Sequence, residues 1–273
     1  MQAYSRWSPP GGTLGTIVRE AEARAAILER GRGELEADAE EALPGASLER
    51  ALRGGNVALL AEVKRRSPSK GAIAETLDAV AQAAAYADGG AAAVSVLTEP
   101  HHFGGSADDL RRVRAALDIP VLKKDFHVSE VQLLEARALG ASAALLIARA
   151  LSPARLDELT AYGRFIGLEL LVEVRDEDEL ARALQAGATM IGVNNRDLET
   201  LEMHERTAER LIPRIPAAMV AIAESGVKLL SDVQRYAAVG ADAVLVGSVL
   251  SASRDPAAAT RELGGVARRP RDG

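Results

Sequence analysis

Residues 129–147, SEVQLLEARALGASAALLI, hold a helix, a glycine and a strand in succession. Ser129 opens the helical run and Gln132 stands three residues on, the spacing of a capping box. Leu139-Gly140 reads as a helix exit into a left-handed glycine. The run 143–147 is short and continuously apolar, as expected of a parallel strand buried on both faces. The same exit recurs at Ala186-Gly187 and Val239-Gly240, each followed within a few residues by an apolar strand. Ser152-Pro153 adds a cap with proline at the first helical position. This grammar, used three times, argues for alternating α/β units.

Outward from this stretch, apolar strand-like runs fall at 57–63, 92–97, 120–123, 143–147, 168–174, 190–194, 219–224 and 243–246. Helical segments lie between them, for example 76–87, 129–139, 176–185 and 231–239. Eight strands at a pitch of roughly 22–35 residues predict an α/β fold, a single (β/α)8 TIM barrel. A doubly wound open sheet is the rival. It usually has fewer strands and often a glycine-rich nucleotide loop after the first, and neither G-x-G-x-x-G nor G-x-x-x-x-G-K-[ST] occurs here. The reading divides the chain into an N-terminal helical extension packed on the barrel (1–55), a catalytic barrel (56–265) and a basic C-terminal tail (266–273). Helices are expected at 14–30 and 34–42, and residues 267–273 read as a frayed, solvated end.

Aromatic residues make up only 3% of the chain, so the core is built from aliphatic side chains and base stacking has no platform. A net charge of -6 argues against nucleic-acid binding, yet leaves room for a local cation cluster that takes an anionic small molecule. With no cysteine, disulfides and thiolate metal sites are excluded. No apolar run is long enough to span a bilayer, and residues 1–12 lack the apolar block of a secretory signal. No membrane partner is expected, and the location expected is cytoplasmic. The four histidines lack metal-site spacing, so no metal is expected, and no G-x-S-x-G elbow supports acyl chemistry.

In such barrels the active site lies where strands end. Here the ends are crowded with polar groups: Glu62 and Lys64, Lys123 and Lys124, Glu173, Asn194 with Arg196, then Glu224. Period two places Glu62 and Lys64 on one side of their strand. It also sends Lys123 and Lys124 to opposite sides, and spacing alone does not choose between them. One charged strand end is an ordinary boundary residue. Five together suggest a site, because buried charges are costly unless paired, and pairing shifts proton affinities in the way acid–base work needs. Glu224-Ser225-Gly226 and Val246-Gly247-Ser248 follow successive strands, offer backbone N–H groups with little bulk, and fit an anion. The basic loop 64–71 reads either as solvated surface or as a lid that adds cation contacts.

At this point the residues resemble a known family. Ala61-Glu62-Val63-Lys64-Arg65-Arg66-Ser67-Pro68-Ser69 is similar to the signature of the indole-3-glycerol-phosphate synthases. The likeness continues through Val96-Leu97-Thr98-Glu99, Phe103-Gly104-Gly105-Ser106, Lys124-Asp125-Phe126, Leu145-Leu146-Ile147 and Val172-Glu173-Val174. It ends with Gly192-Val193-Asn194-Asn195-Arg196-Asp197-Leu198, Glu224-Ser225-Gly226 and Val246-Gly247-Ser248. These blocks keep the family's order over about residues 56–250.

The resemblance implies a carboxy-lyase of tryptophan biosynthesis, with no cofactor. It would close the ring of 1-(2-carboxyphenylamino)-1-deoxyribulose 5-phosphate, then lose carbon dioxide and water. The family's general-acid lysine falls on Lys124. Glu173 and Lys64 carry over to the later proton transfers, and Glu62, Asn194, Arg196 and Glu224 to orienting or electrostatic roles. Ser67, Ser225, Gly226, Gly247 and Ser248 map to phosphate contacts. Phe103, Phe126, Leu145 and Leu198 map to the apolar wall for the aromatic ring. His102 and His127 depart from the family's usual residues, which puts the ring pocket and pH dependence in question. Two rivals share the phosphate site: a sugar-phosphate isomerase would release no carbon dioxide, and a non-catalytic binder would show no turnover.

Overall fold

The computed structural model describes residues 7–271. Eight parallel strands form the centre: β1 (Ala58–Val63), β2 (Ala93–Leu97), β3 (Val121–Lys124), β4 (Ala143–Ile147), β5 (Glu169–Val174), β6 (Met190–Asn194), β7 (Val220–Glu224) and β8 (Ala243–Val246). Each pairs with the next, and β8 returns to β1 from Ala58↔Ala243 to Ala61↔Val246, so the sheet closes into a barrel without a free edge. Every strand residue is buried except the half-buried Ala58 and Glu169, which open β1 and β5. Side chains on the inner face fill the barrel, and those on the outer face meet the helices. That double burial is why the strands read as continuous apolar runs.

The N-terminal helices are α1 (Gly12–Leu28), α2 (Arg32–Glu41) and α3 (Leu48–Ala51). Around the barrel lie α4 (Ala79–Asp88), α5 (Ala107–Ala116), α6 (Glu130–Ala138), α7 (Pro153–Phe165), α8 (Glu177–Gln185), α9 (Thr207–Leu211), α10 (Leu230–Ala238), α11 (Ser248–Ser251) and α12 (Pro256–Glu262). Gln132 Oε1 accepts the Ser129 amide at 3.1 Å, and Ser152 Oγ accepts the Arg155 amide at 3.2 Å with Pro153 in the first turn. Gly140, Gly187 and Gly240 have φ of 77°, 78° and 88°, the left-handed exits that the helix–glycine–strand pattern demands. The fourth helix starts later than residue 76 because the Asp78 carboxylate takes the Ala81 amide and becomes the cap. The third strand runs one residue further than residue 123, since Lys124 pairs with Leu97 and its carbonyl accepts the Thr98 amide.

The N-terminal segment crosses the end of the barrel where the strands finish. Arg24 on α1 bonds Asp125 at 2.8 Å just past β3, and the Thr13 amide bonds the Glu199 carbonyl beyond β6. Ser47, which caps α3, holds Glu169 at the other end of the barrel at 2.6 Å. The C-terminal residues are not a frayed, solvated end through Arg271. The Arg268 amide bonds the Gly55 carbonyl at 2.9 Å, and Arg268 and Arg271 both pair with the buried Asp242. A buried carboxylate needs partners, and the tail supplies them. Among the described residues no helix is long and apolar enough to cross a membrane.

Candidate active site

A cavity of about 700 Å³ opens at the ends of the strands, and all sixteen site residues expected from the sequence line it. Glu62 and Lys64 meet there at 2.5 Å, as the period-two argument anticipates. A buried hydroxyl pair fixes the end of β1 behind them: Ser251 Oγ donates to the Glu62 carbonyl at 3.1 Å, and Tyr86 Oη donates to it at 3.2 Å. Lys124 points into the cavity. Lys123 points outward, where its ammonium bonds Glu135 of α6 at 2.5 Å, so the two lysines divide between site and scaffold.

On the floor the Lys124 ammonium bonds Glu224 and lies 3.3 Å from Glu173 Oε2. Asn194 Nδ2 donates to Glu173 Oε1 at 2.9 Å. All four side chains are buried. Burial alone would drag the lysine pKa down, but the carboxylates of Glu224, Glu173 and Glu62 override it and raise it above the ordinary value. Burial, with Glu173 adding to it, raises the Glu224 pKa, and the paired Lys124 ammonium pulls against that rise.

The rim has the opposite character. Burial lowers the Arg196 pKa, and burial together with Lys64, Arg196 and Lys228 lowers that of Lys70. These cations converge on one side of the cavity, a field that attracts an anion. Arg196 is aimed by its own amide, which bonds Asn194 Oδ1 at 2.9 Å, and by its guanidinium, which donates to the Leu201 carbonyl at 2.8 Å. Ser225 has φ of 64° although it is not glycine, a strained conformation held by its neighbours. The buried Asn195 holds it, donating to the Ser225 carbonyl at 3.0 Å and the Glu224 carbonyl at 3.1 Å. Phe103 and Phe126, with ring centroids 6.1 Å apart, form an apolar wall with Leu145 and Leu198.

Several contributors were not singled out from the sequence. Thr13 and Ile17 of α1 line the cavity, which strand ends alone cannot reveal. Gly192 lies beneath Glu224: a Cβ there would sit 2.0 Å from Glu224 Oε1. A glycine inside a strand signals such close approach. His127 lies outside the cavity lining, its Nδ1 2.7 Å from the Leu145 carbonyl, and burial, then Lys123, pushes its pKa down to about 3. It therefore stays neutral and does not carry pH dependence near neutrality. His102 bonds Glu20 of α1 at 2.8 Å, also outside the lining. With Glu99 these two form the one group among the described residues with metal-like clustering. Glu99, however, is occupied by the amides of His101, His102 and Phe103.

A family model described as indole-3-glycerol phosphate synthase matches residues 15–263. The chain is 53% identical over 230 residues to indole-3-glycerol phosphate synthase 1 of Streptomyces coelicolor, covering 84% of this chain and 86% of the relative. It is 49% identical over 239 residues to the indole-3-glycerol phosphate synthase of a Parafrankia species, covering 88% and 87%. Among solved structures, 3-hexulose-6-phosphate synthase from Salmonella typhimurium superposes with a TM-score of 0.62 at 15% identity, covering 76% of this chain and 96% of that one. Thiamine phosphate pyrophosphorylase from Pyrococcus furiosus gives 0.57 at 15% identity, covering 80% and 96%. At such identities the structural likeness is one of fold.

Proposed function

The chain belongs to the indole-3-glycerol phosphate synthase family, and we propose from that premise how its cavity performs the reaction. The protein is a carbon–carbon lyase of tryptophan biosynthesis acting on a phosphorylated small molecule. It converts 1-(2-carboxyphenylamino)-1-deoxyribulose 5-phosphate to indole-3-glycerol phosphate, carbon dioxide and water. The phosphate is read into the turns at Ser225-Gly226 and Gly247-Ser248, with Ser67 facing them. Arg196 and Lys64 take the substrate carboxylate. The aromatic ring lies on Phe103, Phe126, Leu145 and Leu198, where burying it contributes ~1–3 kcal/mol and excludes competing water.

The observation that carries the assignment is the buried Lys124 ammonium held between Glu173 and Glu224. Their charges keep it protonated. As the ring carbon bearing the carboxylate attacks the ketone carbon, the carbonyl oxygen becomes an alkoxide. An alkoxide is far more basic than an amine, so it takes the Lys124 proton. Loss of carbon dioxide leaves its bonding electrons in the ring and restores aromaticity. The hydroxyl then departs as water, and Glu173, oriented by Asn194, accepts the proton from the carbon beside nitrogen. Glu62 positions Lys64, and Glu224 positions Lys124.

Within the expected 1–55 extension, the described residues 7–55 act in this reading as a helical cover that closes the mouth, since Thr13 and Ile17 line it, and residues 1–6 lie outside the described residues. Residues 56–265 form the catalytic barrel, and 266–271 are the described part of its basic tail, with 272–273 outside the described residues. A substrate that carries both a phosphate and a carboxylate does not cross a bilayer unaided, which favours a cytoplasmic location. Incubating the purified protein with this substrate and a chelator tests the assignment. Indole absorbance should rise with one carbon dioxide released per product. Turnover without gas release would overturn it in favour of an isomerase.

A further inference from the structure

The overall reaction consumes a proton. The ketone oxygen takes up two protons and leaves as water, while the carbon beside nitrogen gives up one. The carboxylate departs as neutral carbon dioxide. Each turnover must therefore draw one proton from solvent into a floor that the bound substrate covers.

A second, smaller cavity of about 20 Å³ lies directly behind that floor, lined in part by Glu173, Asn194 and Glu179. Such a volume takes one water molecule, given polar partners. Glu179 is 2% exposed. Its Oε2 accepts the Arg175 amide at 2.8 Å, and its own amide bonds the Asp176 cap at 2.8 Å. Capping the eighth helix accounts for one oxygen. The other, Oε1, is buried without a hydrogen-bond partner.

We propose that Glu179 and a water in this cavity form the proton-entry route, passing a proton from solvent through Glu179 to the water and on to Glu173. From Glu173 the proton reaches Lys124, whose ammonium lies 3.3 Å away. No bond other than O–H and N–H changes, and one proton moves inward per product. Burial, then Asp176, raises the Glu179 pKa to about 7, while Arg175 and Arg182 pull it down. Its proton affinity therefore lies far closer to neutrality than that of an exposed carboxylate, so it can both take and give a proton. The cavity's other charged walls are Arg149, Arg196, Asp197 and Glu199. Arg149 bonds Glu199 at 2.9 Å, and Arg175 bonds Asp197, so Glu199 and Asp197 are each paired with an arginine.

The proposal rests on the acid–base role given to Glu173, which Glu173→Gln tests separately. Glu179→Gln keeps an oxygen for the Arg175 amide but carries no exchangeable acid proton. Its single-turnover rate should fall roughly ten-fold at pH 7 with KM unchanged. The rate limb near pH 7 should vanish, and ammonium ions should restore rate where tetramethylammonium at equal ionic strength does not. Val174→Ile, which extends a side chain lining the cavity, should reproduce the loss if the Gln variant does not fold. A rate, pH profile and ammonium response equal to wild type in the folded variant would overturn the relay. So would a change confined to thermal stability. Either result would leave the synthase assignment standing.

Discussion

An alanine at position 192 would bring its Cβ to 2.0 Å from Glu224 Oε1, so that carboxylate would have to leave its place beside Lys124. The residue is buried in β6, and the change adds one methyl group. Gly192→Ala should lower kcat by roughly 10²-fold through misplaced acid–base groups. KM should change little, because Glu224 is assigned no substrate contact. Steady-state kinetics with a thermal melt checks this: a folded variant with wild-type kcat would refute the positioning role of Glu224. At this scale the sequence was legible in kind and incomplete in geometry. Alternation put Glu62 beside Lys64 correctly, yet it left Lys123 and Lys124 equivalent. Their difference depends on Glu135, which approaches Lys123 from α6 on the outer face. Strand periodicity carries no information about which helix residue waits there.

Elements were the most legible scale. The three glycine exits and the serine caps are local chemistry, so neighbouring residues suffice to find them. The loop after β1 was less readable. It folds as a two-residue antiparallel pairing of Arg66–Ser67 with Gly71–Ala72, too short to show any period. The tail was misread as solvated because its partner, Asp242, lies far away in sequence. That contact makes a stability prediction. Asp242 receives Arg271 at 2.7 Å and the Ala221 amide at 2.8 Å, and its removal leaves that amide unpaired and the Arg268 and Arg271 charges without their carboxylate. Asp242→Ala should cost about 2–4 kcal/mol, measured as a lower urea midpoint with unchanged slope. A loss under about 0.5 kcal/mol would show that the tail is surface decoration.

For the whole molecule, closure from β1 to β8 brings together groups spread along the chain from Glu62 to Ser248. The carboxylates of Glu62, Glu173 and Glu224 and the ammonium groups of Lys64 and Lys124 then share one cavity. Barrel number and pitch were readable from the apolar runs. The covering helix was not, since nothing in its own sequence says which end of the barrel it crosses. What closure achieves is a lysine that stays charged in a buried floor, next to an apolar wall and opposite a cationic rim. The test of that arrangement is the single-turnover rate of Lys124→Met with the anilino-ribulose phosphate. We predict a fall of at least about 10³-fold with the fold intact and substrate still bound. A folded Lys124→Met variant that closes the ring at the wild-type rate would contradict the account.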